Sequence, residues 1–295
     1  MSNSEVGQSP LSLSIALPTS FIDVSPNKAQ KTQQVGRIAR ALAIFRVDEI
    51  ILYQDKHNKK QKRNLELISN ILEYMETPQY LRKHIFGKRP TLQYVGLLPP
   101  LRTPHHPLVK NSADIRNGEI REGVSYEIKG KAVVDVGVEY PLPLLQAKSK
   151  LNPQRITVEI RRNEKGKLIA RPAITSRSGR YWGYTVSRLE SSLGTFLSRP
   201  RGYGFIIATS RKGIPLEEKT EVIRTQWQKF GKLLLLFGSY KEGVKEILQR
   251  ESVDLATVVD YSINLVCNQG TATIRTEEAV LVGLSAFRLL ECKTS

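Results

Sequence analysis

Apolar positions along the chain change their period twice. Residues 12–17 read as a strand closed by Pro18, and over 27–47 Val35, Ile38, Ala39, Leu42 and Phe45 recur at helical spacing. Residues 49–53 are a compact apolar strand. Helical spacing returns over 64–74 through Leu65, Ile68, Ile71 and Leu72, and Pro78 opens a short helical piece over 79–86. Residues 92–97 read as a third strand, stopped by Pro99-Pro100. Strands alternating with helices predict a parallel sheet with helices packed on it.

From 98 to 186 amphipathic helices vanish. Short β-rich runs take their place at 125–129, 131–139, 155–162, 168–174 and 181–186, separated by turn formers such as Asn117-Gly118, Gly130, Lys165-Gly166 and Ser178-Gly179. Such a series predicts a small antiparallel barrel. An OB-like barrel, an architecture that commonly holds oligonucleotides, is the natural candidate, and an SH3-like barrel has the same strand count. The alternation then resumes: a helix near 189–197, a strand at 204–208, a helix over 216–230, a strand at 232–237, a helix over 240–249, a strand at 258–266 and a helix over 276–290. The expected organisation is an α/β domain in two parts, 1–97 and 187–295, interrupted by a barrel at 98–186. Insertion into an exposed loop costs little, because the loop ends stay close together.

Charge changes the picture most. Across 295 residues, 45 Lys and Arg stand against 28 Asp and Glu, a net charge of +17. A field of that sign attracts polyanions, and release of their counterions favours phosphate binding. The excess is clustered: Lys56, Lys59, Lys60, Lys62 and Arg63 crowd one turn, and residues 146–180, Arg161 and Arg162 among them, hold ten Lys/Arg against two Glu. Tyr181 and Trp182 follow directly. Trp182 is either barrel core or a face on which an unpaired base could stack. RNA is therefore the expected partner, with Lys59, Lys60, Lys62, Arg63, Arg161, Arg162 and Trp182 as candidate contacts. Cys267 and Cys292 form no metal array and no disulfide framework, so no metal is expected, and a reduced, cytoplasmic setting fits. No apolar run reaches the roughly 20 residues of a membrane span, and no secretory signal pattern opens the chain.

Each of the last three strands ends in a polar loop with glycine: Thr209-Ser210-Arg211-Lys212-Gly213, Gly238-Ser239-Tyr240-Lys241-Glu242-Gly243 and Asn268-Gln269-Gly270-Thr271-Ala272-Thr273. In open α/β sheets ligands bind beyond the carboxyl ends of the strands, and glycine lets backbone approach a ligand closely. Three such loops could enclose one nucleoside-sized ligand. Walker, Rossmann, HExxH and GxSxG patterns are all missing.

Leu97-Leu98-Pro99-Pro100-Leu101-Arg102-Thr103-Pro104-His105-His106-Pro107, Leu235-Leu236-Phe237-Gly238-Ser239 and, above all, Asn268-Gln269-Gly270-Thr271-Ala272-Thr273-Ile274-Arg275-Thr276-Glu277-Glu278-Ala279 resemble the archaeal and eukaryotic RNA methyltransferases of the SPOUT superfamily. The resemblance implies an α/β domain whose C-terminal part forms a trefoil knot around S-adenosylmethionine, a homodimer, and a barrel inserted after the third strand. It also implies three cofactor loops: Thr209 and Ser210; Gly238, Ser239 and Gly243; and Val266 through Thr273, with Asn268, Gln269, Gly270, Thr271 and Thr273. Gly238 and Gly270 are expected to be the least replaceable.

Methyl transfer needs the methyl group held in line with its nucleophile, and a route for the nucleophile's proton. Arg275 is the candidate for a cation at the reacting nucleotide, or else an exposed residue at a helix entry. Glu277 and Glu278 follow Thr276, a plausible N-cap, where acids favour the helix dipole. The expected function is methylation of a structured RNA, ribosomal RNA before transfer RNA. The rival is an RNA-binding factor that keeps the fold as a scaffold, and cofactor binding separates the two.

Overall fold

A computed structural model describes residues 11–146, 153–174, 180–199 and 202–291. The chain forms two compact units: Met1–Leu72 with Tyr94–Leu98 and Tyr184–Ser295, and Glu73–Gln93 with Pro99–Gly183.

The first unit is built on six parallel strands: β1 (Ser12–Pro18), β2 (Glu49–Tyr53), β8 (Thr185–Arg188), β9 (Phe205–Pro215), β10 (Lys232–Leu236) and β11 (Tyr261–Asn264), in the order β11-β9-β10-β1-β2-β8. The centre reads Leu-Ser-Ile-Ala-Leu in β1 beside Leu-Leu-Leu-Leu in β10, and both runs are buried. Continuous apolar sequence is what a strand covered on both faces requires. Helices α1 (Lys28–Ile44), α5 (Leu216–Phe230) and α8 (Thr276–Glu291) belong to this unit, as does most of α2 (Lys59–Glu76). The Asn27 side chain caps α1 by accepting from the Gln30 amide at 3.0 Å. Gly231, at φ 71°, closes α5 in the left-handed conformation. Buried Trp227 donates its indole hydrogen to the Ser12 carbonyl, which fixes α5 to the start of β1.

In the second unit, β3 (Glu119–Ile128), β4 (Lys131–Asp135), β5 (Leu142–Pro143), β6 (Gln154–Arg162) and β7 (Leu168–Pro172) pair antiparallel in the order β5-β4-β3-β6-β7. Just past β5, Leu144 bridges to Ala170 in β7 and the Leu145 amide donates to the Ala170 carbonyl, so the sheet is nearly a closed barrel. Its core is Val134, Leu142, Val158, Ile160 and Ala170. Lys129 and Gly130, at φ 49° and 75°, make the two-residue turn between β3 and β4.

Three expectations fail here. Residues 92–97 make no strand: Pro90–Leu92 and Val95–Leu97 are 3-10 turns. The place beside β2 that a third strand would take is held by β8. For the same reason the run at 181–186 is no barrel strand, since Thr185 lies opposite Glu49 in the parallel sheet. The second unit therefore interrupts the parallel sheet after two strands, not three. Finally, residues 255–258 are a short helix, α7 (Leu255–Val258), and only Tyr261–Asn264 of the expected run 258–266 is strand.

Candidate active site

Each of the three loops is held open by contacts with its neighbours. Ser262 and Ile263, adjacent in β11, lie opposite Ala208 and Ile214, so residues 209–213 are thrown out of the β9–β11 ladder. The Thr209 hydroxyl donates to the Leu236 carbonyl at 3.0 Å, and the Asn264 amide to the Arg211 carbonyl at 3.0 Å. Where the excursion rejoins the ladder, a Cβ on Gly213 would lie 2.6 Å from the Ile263 carbonyl carbon, so only glycine fits.

After β10, the Ser239 side chain accepts from the amides of Lys241 and Glu242, and its own amide donates to the Glu242 carbonyl at 2.8 Å. This turn doubles back so tightly that a Cβ on Gly238 would meet the Gly243 Cα at 2.7 Å and the Glu242 carbonyl at 2.8 Å. Gly243 then opens α6 (Val244–Arg250). After β11, the Asn264 side chain accepts from the Val266 amide at 3.0 Å, and Asn268 takes the left-handed φ of 55° that asparagine tolerates. Arg211 reaches across from the first loop and donates to the Ala272 carbonyl at 2.7 Å.

Between the loops lies a cavity of about 370 Å³. Of the cofactor candidates, Thr209, Ser210, Gly238, Ser239, Gly243, Val266, Gln269 and Thr273 line it. Asn268, Gly270 and Thr271 share the third loop but lie outside the lining, and a Cβ on Gly270 would have nothing within 4 Å. Packing therefore demands glycine at 238 and not at 270. Sequence reading missed Glu246 and Asn264, which also line the cavity. Asn264 carried no signal, because its role as a pin between two loops depends on a contact across the sheet. The volume is within the range of small-molecule sites, and the walls offer backbone groups, hydroxyls and two carboxylates. Those residues fit a nucleoside-bearing methyl donor.

Arg275 is exposed and outside the lining. It precedes α8, and its amide donates to the Glu278 side chain at 2.9 Å, half of a capping box. Thr276 is the first residue of α8 and not its cap. Glu277 is buried and accepts from the Gln34 side chain at 2.8 Å, which is a packing role.

The RNA candidates fall in two places. Lys59, Lys60, Lys62 and Arg63 are exposed on the first turns of α2, where no acid offsets them against the helix dipole, although Lys60 pairs with Asp23 at 2.9 Å. In the second unit, Arg161 is exposed and paired with Glu159, while Arg162 donates to the carbonyls of Ser112, Ala113 and Gly166 and so holds a turn. Part of the basic segment, residues 147–152 and 175–179, lies outside the described residues. Trp182 is half-buried and donates its indole hydrogen to Glu122 at 2.6 Å.

Glu122 belongs to a buried cluster that the sequence reading did not foresee. Arg155 bonds both Glu122 and Glu76, and His105 approaches Glu76 at 3.1 Å. Burial pushes the Glu76 carboxyl up, but hydrogen bonds from His105 and Arg155 outweigh it and hold the group at about 2. Burial, with the neighbouring His105, pulls His106 down to about 4. A Cβ on Gly183, at φ +92°, would sit 2.6 Å from both Glu76 Oε1 and the His105 ring.

Among the described residues, no group of three His, Cys, Asp or Glu is placed to hold a metal, and no helix is long and apolar enough to cross a membrane. A family model described as "Putative RNA methyltransferase" matches residues 12–287. The chain is 33% identical to a Mus musculus protein named 28S rRNA (uridine-N(3))-methyltransferase, over 95% of this chain and 76% of the mouse protein. The Homo sapiens protein of that name is 33% identical over 95% of this chain and 78% of its own length. The Drosophila melanogaster protein is 32% identical over 95% of this chain and 62% of its own. A match that spans both units and all three loops of the cavity settles the assignment: the chain belongs to this family of RNA methyltransferases.

Proposed function

We propose that the chain transfers a methyl group from S-adenosylmethionine to ribosomal RNA, with N3 of a uridine as the acceptor. The observation that carries this reading is the cavity, whose three walls are the loops at the ends of β9, β10 and β11. The relatives' names supply the RNA and the atom. S-adenosylmethionine, once bound, supplies an electrophilic methyl on a sulfonium sulfur. Backbone groups of residues 238–243, 264–266, 269, 272 and 273 would hold the nucleoside part, and the carboxylates of Glu242 and Glu246 would suit its cationic part. Keeping bulk water from the cavity strengthens these polar contacts.

The same reading takes the first unit as a SPOUT domain with a trefoil knot. Its support is the sheet order, in which the last strand lies beside β9 and not β10, together with the α8 entry tied to the loop after β10. It takes the second unit as an OB-like barrel that adds RNA affinity through its basic strands and Trp182. A homodimer in the cytoplasm completes it. The support for the dimer is an apolar stripe on the outer face of α8, where Leu281, Val282 and Leu289 are exposed, the last at 70%.

Calorimetry of the purified chain with S-adenosylmethionine tests the reading. Saturable binding and a raised melting temperature are expected. No heat and no thermal shift at millimolar cofactor would leave an RNA-binding scaffold instead.

A further inference from the structure

The carboxyl edge of the parallel sheet continues past the cavity, from β10 to β1 and then β2. At the end of β2 stand Gln54 and Asp55, more than nine-tenths buried. The Gln54 side-chain oxygen and Asp55 Oδ1 are both buried with no hydrogen-bond partner, while the other Asp55 oxygen accepts from Ser20 at 2.8 Å. Burying an acceptor without a partner is costly, and more so for a carboxylate, so the Asp55 oxygen calls for a reason.

Two observations connect this pair to the reaction. Arg250 donates to the Asp55 carbonyl with one nitrogen and to Glu242, in the cavity wall, with another. Tyr53, next to Gln54, donates its hydroxyl hydrogen at 2.6 Å to the carbonyl of Phe237, another lining residue. On the other side, the exposed bend at 56–58 leads from Asp55 into the cationic start of α2. Phosphates held by Lys56, Lys59, Lys62 and Arg63 would bring a nucleotide to this spot. The charged groups around Asp55 are Lys56 in the same bend, Arg250 from α6, and Glu251 beyond Tyr53.

We propose that Asp55 receives the imide N3–H of the target base and takes its proton. This rests on the uridine-N3 reading given above. The N3–H bond breaks with its electron pair left on nitrogen, an O–H bond forms at Asp55 Oδ1, and the negative charge moves from carboxylate to base. Nitrogen then holds the pair that accepts the methyl. Because Oδ1 is shut off from solvent, the base reaches it by displacing the bend at 56–58.

The test is single-turnover methylation of in-vitro-transcribed large-subunit ribosomal RNA from about pH 6 to about pH 9, for the wild type and Asp55→Asn. Filter binding of the same RNA, calorimetry with S-adenosylmethionine and a thermal melt accompany it. The wild-type rate should be flat across neutral pH. The variant should bind both ligands normally, fall roughly 100-fold or more near pH 7, and regain roughly tenfold per pH unit as the base ionises by itself. An Asp55→Asn rate and profile equal to the wild type overturn the proposal. So does a wild-type rate that climbs tenfold per unit, which decides the matter even if the variant fails to fold. A wild type that methylates no RNA at any pH defeats the uridine-N3 reading and this proposal together. An active wild type with an indifferent variant defeats this proposal alone.

Discussion

Thr276 donates its hydroxyl hydrogen to the carbonyl of Gly238, 3.3 Å away, and so ties the first turn of α8 to the loop after β10. Two loops that are far apart in sequence thereby share one wall of the cavity. The wall exists only while the turn at 238–243 keeps its tight path.

Gly238→Ala is therefore expected to lose cofactor affinity by tenfold or more in calorimetry, since its Cβ meets backbone at 2.7 Å and the turn must open. Gly270→Ala, with open space around the new carbon, should bind within a factor of roughly two of the wild type. Equal losses at both positions would mean that the ligand, and not the chain's own packing, sets the need for glycine.

The second unit should weaken in acid in two stages. His106 is held at about 4 against an ordinary 6.5, so the stability that its neutral form contributes is complete above 6.5 and is lost as pH falls toward 4. Glu76 is held at about 2 against 4.5, so its contribution, roughly 3 kcal/mol, is complete above 4.5 and is lost between 4.5 and 2. Thermal melts from neutral pH to about pH 4.5 should show the first stage, and His106→Gln should flatten it.

A fragment covering 98–186 should fail to fold, whereas one beginning at residue 73 should give a β-type circular dichroism spectrum. Glu76 fills the Arg155 site, and Tyr80 packs its ring against Gly137 and bonds the Glu122 carbonyl at 2.7 Å. Both side chains precede the point where helix periodicity ends. That shows which parts of the fold were legible. Strands such as 49–53 and the helix over 216–230 declare themselves because local spacing and final burial agree. The clasp of Glu76, His105 and Arg155 is spread over 79 residues of chain, and no window of periodicity can connect them. The run at 92–97 misled for the complementary reason: its apolar residues suit a strand, but the place beside β2 belongs to β8, which begins only at Thr185. At the site, glycine and small polar residues announced the three loops. The pinning contacts of Asn264 and Thr276 exist only in three dimensions.

Affinity and chemistry should separate. Reversing charge at Lys59, Lys62 and Arg63 should lower RNA affinity and flatten its salt dependence by up to roughly 0.9 per lost phosphate contact, with little change in kcat. Arg275→Ala keeps the backbone bond to Glu278 and so should fold and bind cofactor normally. If the arginine stabilises charge at the reacting nucleotide, single-turnover methylation falls roughly 100-fold. A normal rate would leave Arg275 as the residue that opens α8.

Nucleoside mass spectrometry reads methyl transfer to ribosomal RNA at the level of the modified base itself. Purified chain is incubated with methyl-labelled S-adenosylmethionine and in-vitro-transcribed large-subunit ribosomal RNA, and the RNA is digested and its nucleosides are separated. Label is expected in N3-methyluridine, and it should be lost in Gly238→Ala. Label confined to another nucleoside, or to transfer RNA offered in parallel, or no label from a chain that binds both cofactor and RNA, would overturn the assignment of ribosomal uridine N3 as the methyl acceptor.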